Sequence, residues 1–330
     1  HLILPFVLLA ACVSSSYEMK DFSKYEPLKS GFKNPGGTAR AKVYWWWLNG
    51  YTDTVRIRQE LNAVKQAGLG GVDIFEIGFR PEGALPAGPA FLSSESLEII
   101  ELAIREATRL DLEVGLNMAS SWNAGGTWIT PEHSAKSLYR STVRTSGGQN
   151  QISIPFPAIE KTDSRERQLR FIEVAGDGKP VIRQEVAILA IPIRDGHPYL
   201  DTAKIIDVSR FLDARADVLN WKVPPGEWEI HRYVCSSSGE ALKLPSPNSA
   251  GPIIDHFDSA ATRFHFNYVI EKLRSVLGDL RNTALKNLYL ASFEATGTVW
   301  TPTLAKTFQE IHGYRLDKFL PQLFGTGEFD

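Results

Sequence analysis

The sequence predicts an α/β fold, namely the first half of a (β/α)8-type barrel with an inserted antiparallel β module. Apolar runs alternate with segments of helical periodicity over residues 41–139, and this alternation implies parallel strands joined by right-handed crossovers. Shorter β runs separated by turn residues fill residues 140–250, a pattern typical of antiparallel sheets. The alternation returns in residues 251–330, so we predict that this region continues the barrel through a fourth strand.

The N-terminus has the pattern of a lipoprotein signal peptide over residues 1–12. The run is apolar after His1 and passes through Leu9-Ala-Ala into Cys12. It is too short to span a bilayer as a mature helix but fits a signal-peptide core. We predict lipidation at Cys12 and an exported protein, anchored to a membrane in the periplasm or at the cell surface. An ordinary signal peptide with a chance cysteine is the alternative. Residues 13–40 contain prolines and glycines without periodicity and are predicted to be a tether.

Charge excludes one class of partner. The 330 residues carry a net charge of −2, with 22% charged residues and no strongly basic stretch. We therefore expect no nucleic-acid surface.

The first three barrel strands are predicted in residues 41–139. β-branched and aromatic residues form a strand over 42–48 that Asn49-Gly50 ends, and Thr52 is the predicted N-cap of a helix from Asp53 to about Ala67. The following elements are a strand over 71–77, a helix that begins near Ser94, a strand over 112–118 and a helix start at Thr130-Pro-Glu132.

The rest of the chain is predicted to hold the module and the fourth strand. The β runs of the module are 151–156, 185–193, 205–208 and 228–233. A helix around Phe264–Leu273 then precedes a strand that ends at Glu294, and a last helix runs from about Pro302 to Ile311, where Gly313 stops it. Only four of the eight βα units are found, so we predict the N-terminal part of a longer protein.

Acids, amides and tryptophans gather at the carboxyl ends of the predicted strands, where barrel enzymes place their chemistry. Tryptophan faces there can stack on a sugar ring, although core packing is an equally weighted alternative for each one. For Glu76, ligand binding and structural pairing are weighed equally. The candidate binding residues are Trp45, Trp47, Asn49, Glu76, Asn117, Trp122, Trp128 and Trp300.

Several segments carry a family resemblance: Phe32-Lys-Asn-Pro35, Val43–Gly50, Ala67–Gly71, Trp122–Glu132, Ser292-Phe-Glu294 and Trp300-Thr-Pro302. Together they resemble the inverting α-L-rhamnosidase family of large bacterial glycoside hydrolases over residues 32 to about 322. The resemblance implies a (β/α)8-type barrel, inversion at the anomeric carbon, an oligosaccharide or polysaccharide substrate and a Ca²⁺ ion whose ligands are unassigned. The sequence has Trp46, Asn117 and Ala291 where the family pattern has His, His and Asp.

Glu294 is the predicted catalytic residue. Inversion requires a protonated acid and a carboxylate about 6.5–9.5 Å apart. Desolvation by Phe293, Trp300 and neighbouring tryptophans would raise the pKa of Glu294 and suit a general acid, whereas a capping or surface glutamate is the alternative. We expect the second carboxylate beyond Asp330, and therefore expect residues 1–330 alone to be inactive. The alternative function is a non-catalytic, glycan-binding lipoprotein that keeps a barrel-derived pocket.

Overall fold

The computed structural model describes residues 25–159 and 171–326, so the predicted signal peptide and its Cys12 lie outside the described residues. The helices are α1 (Glu26–Lys33), α2 (Thr54–Gln66), α3 (Ser94–Arg109), α4 (Ser259–Leu277), α5 (Leu304–His312) and α6 (Leu320–Leu323). The strands are β1 (Lys42–Leu48), β2 (Gly71–Ile77), β3 (Glu113–Asn117), β4 (Lys136–Ser146), β5 (Ile152–Ser153), β6 (Arg183–Arg194), β7 (His197–Pro198), β8 (Ile206–Asp207), β9 (Leu212–Asp213), β10 (Val218–Leu219), β11 (Glu227–Ser237), β12 (Leu285–Tyr289) and β13 (Val299–Trp300).

A four-stranded parallel sheet has the order β1-β2-β3-β12. Its third and fourth strands are neighbours, with Asn117 paired to Tyr289, although the antiparallel strands β4–β11 lie between them in sequence. The predicted α/β class is therefore confirmed. Closure into an eight-stranded barrel stays an expectation.

Helices α2, α3 and α4 cover one face of this sheet. Apolar residues recur along each helix at the spacing that makes one buried stripe, and they pack against every second residue of the strands. The central contacts of this core are made by Ile57, Leu61, Val72, Ile74, Ile100, Ile104, Val114, Leu116, Val269 and Leu273. The sheet's other face carries no helix of this core.

Helix starts follow the capping chemistry of the sequence, with one correction. The side chain of Asp53, rather than the predicted Thr52, accepts hydrogen bonds from the backbone N–H groups of Val55 and Arg56. An aspartate carboxylate also complements the positive end of the helix dipole, which explains the shift by one residue. Ser93 caps α3 through the N–H of Ser96.

The antiparallel strands form two sheets. The larger has the order β13-β4-β11-β6-β7, with β8 also paired to β6, and the smaller has the order β5-β10-β9. β4 begins at Lys136, and β13 joins its edge from residues beyond 250, so this sheet recruits strands from outside residues 140–250. The predicted helix at Thr130-Pro-Glu132 is only the single turn Pro131–His133, because the chain enters β4 soon afterwards.

Part of the predicted tether is helical. α1 occupies residues 26–33 but buries none of them, so a short helix with an exposed surface replaces the irregular chain expected there. Among the described helices, none combines the length and the apolar character that a membrane crossing requires.

Candidate active site

Aromatic side chains cover the face of the parallel sheet that the helices leave open. We call Tyr44, Trp46, Phe75, Trp122 and Tyr289 the aromatic platform. Ring centroids lie 4.9 Å apart for Trp46 and Phe75, 4.9 Å for Phe75 and Trp122, and 6.1 Å for Trp46 and Trp122. Phe75 is buried, whereas Trp46 is 46% exposed and Tyr44 is 60% exposed. The platform therefore offers aromatic faces on which a sugar ring can stack.

A polar cluster lies on the same face, at the amino ends of the strands. Nζ of Lys42 donates hydrogen bonds to Oδ1 of Asp73 at 3.1 Å and to Oδ1 of Asn287 at 2.9 Å. Gly115 lies beneath them, and a Cβ atom there would stand 2.0 Å from Oδ1 of Asp73. This close approach explains the glycine in the middle of β3.

The side-chain alternation of β1 corrects the prediction for its tryptophans. Trp45 and Trp47 point toward the helices, because they share a face with Ile74 and Glu76 of β2. Trp47 is buried in the core, and Nε1 of Trp45 donates to the carboxylate of Glu60 on α2 at 2.7 Å. Neither indole reaches the open face, where Trp46 stands instead.

Two further predicted tryptophans also serve packing. Trp128 stacks on Tyr268 of α4 at a centroid distance of 4.6 Å, and its Nε1 donates to Nδ1 of His265 at 3.3 Å. Trp300 is buried in the core between β4, β6 and the C-terminal helices. Among the predicted binding tryptophans, Trp122 is the one that belongs to the platform.

Glu294 lies in the loop of residues 290–298 that joins β12 to β13, which we call the β12–β13 loop. β12 ends at Tyr289, so the prediction that the strand ends at Glu294 is wrong. The N–H of Glu294 donates to Oδ1 of Asn123 at 3.1 Å, and Nδ2 of Asn123 donates back to the carbonyl of Glu294 at 3.0 Å. The N–H of Ser292 donates to the carbonyl of Trp122 at 3.0 Å. These bonds hold the loop against the chain beside Trp122, a member of the platform.

Two hydrogen-bond donors contact the carboxylate of Glu294. Nζ of Lys243 lies 3.1 Å from its Oε2, and the hydroxyl of Ser292 donates to its Oε1 at 3.1 Å. Its side chain is 45% exposed. The expected desolvation by Phe293 and Trp300 is absent, because the Phe293 ring packs on His256 and Phe257 and Trp300 is buried elsewhere.

Glu76 has the desolvated environment that was expected of Glu294. It is the penultimate residue of β2 and lies on the helix-covered face. Its side chain is 3% exposed, and the hydroxyl of Ser249 donates to its Oε1 at 3.4 Å. Burial raises the pKa of Glu76 to about 7, although hydrogen bonds from nearby serine hydroxyls oppose the shift. Of its two alternatives, the structure favours structural pairing.

The two asparagines that were predicted to bind a ligand instead form hydrogen bonds with backbone groups of neighbouring loops. Asn49 accepts a bond from the N–H of Phe79 at 2.6 Å and donates to the carbonyl of Leu85 at 3.1 Å. Asn117 is 1% exposed, and its Nδ2 donates to the carbonyls of Ala119 and Ser121. Both side chains fix the loops at the carboxyl end of the sheet and are not open to a ligand.

The expected calcium ion finds no matching ligand set in the described part of the chain. Ca²⁺ takes six to eight oxygen ligands, with carboxylates among them. No three His, Cys, Asp or Glu side chains of residues 25–159 and 171–326 converge on one point. The calcium ion therefore stays an expectation from the family resemblance, and we derive no step through it.

Sequence reasoning missed three residues that contact the candidate site. Trp46 belongs to the cluster of tryptophans at the strand ends but is not among the predicted binding residues, and its alternation relative to Trp45 and Trp47 was the available signal. Lys243 and Asn123 carried no signal, because their contacts to Glu294 join positions distant in sequence.

Comparisons with known proteins agree with this architecture. A protein of Formosa agariphila named "Putative beta-glucuronidase" is 29% identical over 319 residues, which are 90% of this chain and 26% of that protein. The structure of a rhamnosidase from Novosphingobium sp. PP1Y superposes with a TM-score of 0.66 at 18% identity, covering 90% of this chain and 42% of that one. The chain thus spans about a quarter of the first protein and less than half of the second.

The profile of glycoside hydrolase family 106, described as alpha-L-rhamnosidase, matches residues 33–202 and 161–327. These overlapping segments include β1–β13 and the β12–β13 loop with Glu294. Because they span most of the sequence, the chain belongs to the alpha-L-rhamnosidase family of glycoside hydrolases.

Proposed function

We propose that the protein cleaves terminal α-L-rhamnose from plant or microbial glycans by inversion, with the sugar bound over the aromatic platform beside Glu294. The observation that carries the proposal is the position of Glu294, because hydrogen bonds of its backbone to Asn123 and of Ser292 to Trp122 hold this part of the loop beside a member of the platform. Partly exposed indole rings can stack on a pyranose, while the carboxylate and the Ser292 hydroxyl can bond its hydroxyl groups.

We assign Glu294 the role of the carboxylate that activates water. An inverting glycosidase needs one ionised and one protonated carboxyl group. Lys243 and Ser292 donate to the two oxygens of Glu294, and donors of this kind stabilise the charged form of a carboxyl group. This assignment replaces the general acid expected from a desolvated site.

Glu76 does not fit the role of the protonated partner. The raised pKa of about 7 suits a general acid, but the side chain lies on the helix-covered face, opposite to the platform. We propose that the general acid follows Asp330 in a longer protein, in accordance with the chain's spanning 26% and 42% of its two relatives.

The alternative substrate is a β-glucuronide, which the name of the Formosa agariphila relative suggests. The other alternative is glycan binding without hydrolysis, for which the platform alone would suffice. We also propose that the protein is exported and lipid-anchored through Cys12, where the N-terminal pattern places the lipid.

Hydrolysis by the full-length protein tests these alternatives. We expect release of 4-nitrophenol from the aryl α-L-rhamnoside but not from the aryl β-D-glucuronide, and ¹H NMR of the first product should show β-L-rhamnose. Glu294→Gln should lower the rate of this hydrolysis about 10²- to 10⁴-fold, while Glu310→Gln, on the exposed side of α5, should leave it unchanged. Glucuronide cleavage or binding without release of either sugar would contradict the proposal.

A further inference from the structure

We propose that Lys243 is a positioning residue for the reaction, which holds the Glu294 carboxylate ionised and oriented toward the platform. This proposal rests on the proposed function of Glu294. Lys243 belongs to residues 240–249, the segment after β11 that crosses the carboxyl end of the parallel sheet, which we call the strap. The antiparallel part of the chain thereby contributes a cation to a site built on the parallel sheet.

Hydrogen bonds anchor the strap to the parallel sheet and the loops after its strands. These bonds fix the position of the Lys243 backbone. The N–H of Gly78, directly after β2, donates to the carbonyl of Leu244 at 2.8 Å. The N–H of Ser246 donates to Oγ of Ser120 at 3.0 Å, and the hydroxyl of Ser121 donates to the carbonyl of Lys243 itself. Because the backbone of Lys243 is held in place, its ammonium group needs little reorganisation to interact with Glu294 during the reaction.

The far end of the strap reaches the loops around the helix-covered face. The N–H of Phe91 donates to Oγ of Ser249 at 2.9 Å, and the hydroxyl of Ser249 donates to buried Glu76 at 3.4 Å. Nδ2 of Asn248 donates to the carbonyl of Gly88 at 2.8 Å. Through its hydrogen bond with Ser249, the buried side chain of Glu76 helps to anchor the strap.

The strap also holds the β12–β13 loop on the other side of Glu294. The carboxylate of Glu240 accepts hydrogen bonds from the N–H of Thr296 at 2.9 Å and from its hydroxyl at 2.6 Å. Glu240 and Lys243 therefore hold the β12–β13 loop at two points, and Asn123 holds it at a third. Against this fixed backbone, the ion pair with Lys243 selects one orientation of an otherwise 45% exposed side chain.

Charges around the loop support an ionic role for Lys243. Glu240 is a second acid beside this loop, and its carboxylate accepts the hydrogen bond from the N–H of Thr296. The His256 ring packs on Phe293, and burial lowers the pKa of His256, so this ring is neutral at pH 7 and supplies no cation. Nζ of Lys243 lies 3.1 Å from Oε2 of Glu294 and therefore places a positive charge beside its carboxylate.

The test compares Lys243→Met and Lys243→Arg in the full-length protein, with Lys222→Met as a control that removes an exposed positive charge from the antiparallel part. For Lys243→Met we expect kcat to fall about 10- to 100-fold with little change in KM, since a misplaced reacting group costs up to about that much. The acidic limb of the pH profile of kcat/KM should move to higher pH, because an opposite charge beside a carboxyl group favours its ionised form. Lys243→Arg should restore both quantities.

A second readout does not depend on activity. A carbodiimide labels protonated carboxyl groups, and mass spectrometry of the peptide that contains Glu294 measures this labelling as a function of pH. Labelling should extend to higher pH in Lys243→Met than in the wild type. Superimposable labelling curves, or a pH profile equal to that of Lys222→Met, would overturn the role of Lys243. If the wild type hydrolyses neither glycoside but the labelling curve still shifts in Lys243→Met, the proposed function alone is contradicted.

Discussion

The Nζ atom of Lys243 lies 3.1 Å from Oε2 of Glu294, a contact between residues 51 positions apart in the chain. One residue follows the long antiparallel strand β11, and the other follows the last parallel strand β12. The contact therefore joins the two sheet systems at the carboxyl end of the parallel sheet. It also gives Glu294 an environment opposite to the apolar one predicted for it.

The first prediction concerns the chemical role of Glu294. Glu294→Gln in the full-length protein should lower kcat about 10²- to 10⁴-fold, the usual contribution of a general acid or base. A residue that activates water should affect substrates with good and poor leaving groups alike, so the fold loss should be equal for the 4-nitrophenyl and methyl α-L-rhamnosides. A loss confined to the methyl glycoside would restore the general-acid assignment.

The second prediction separates the two faces of β1. Trp46→Ala should raise KM about 3- to 10-fold with little effect on stability, because Trp46 is 46% exposed on the platform. Trp47→Ala should instead lower the free energy of unfolding by about 3–5 kcal/mol, because its indole is buried. Denaturant titration and glycoside kinetics on both variants measure the contrast. Equal effects of the two substitutions on KM would contradict the observed alternation.

The third prediction is a pH dependence of stability caused by Glu76. Burial raises its folded-state pKa from 4.5 to about 7, so the folded protein binds more protons than the unfolded chain between these values. The contribution of Glu76 to the free energy of unfolding is fully present below pH 4.5 and is lost as the pH rises to about 7. The total loss is about 3 kcal/mol.

Glu76→Gln is the matched control for that effect, because its neutral side chain does not titrate. The difference in the free energy of unfolding between the wild type and this variant should change by about 3 kcal/mol from pH 4.5 to 7.5. A constant difference across that range would show that the carboxyl group is ionised in the folded protein.

The fourth prediction concerns the membrane anchor. Cys12→Ser should move the full-length protein into the soluble fraction and abolish incorporation of labelled fatty acid, because acyl chains contribute about 0.8 kcal/mol per buried CH₂. Ser14→Ala, two positions away, is the control and should leave both unchanged. Membrane retention of Cys12→Ser would contradict lipidation at this cysteine.

Local patterns were sufficient for much of the fold. The runs 42–48 and 71–77 were predicted with the bounds that β1 and β2 have, because β-branched and aromatic residues end there at turn residues. Helix α5 ends before Gly313, whose φ of 76° is the left-handed conformation that glycine tolerates best. The strand β12 was placed too late, since Leu288–Glu294 is apolar enough to continue a strand and only tertiary contacts end it at Tyr289.

The site was harder to predict because its contacts are not local. Which face of β1 meets the helices depends on the register with β2, and the run Trp45-Trp46-Trp47 gives both faces the same residue type. The desolvated environment expected for Glu294 is found at Glu76 for a similar reason. Both follow apolar residues, but the helix-covered face buries Glu76, while the strap brings a lysine to Glu294.

Because the tryptophans are divided between the interior and the platform, their intrinsic fluorescence can report the binding of a glycan. Of the eight tryptophans, Trp47, Trp221, Trp228 and Trp300 are buried and contribute fluorescence that a glycan on the open face cannot reach. Trp46 and Trp122 stand where a bound sugar would replace water against the indole rings. Titration with a non-hydrolysable glycan should therefore shift their emission toward the blue above a constant background, and the shift should shrink in Trp46→Phe.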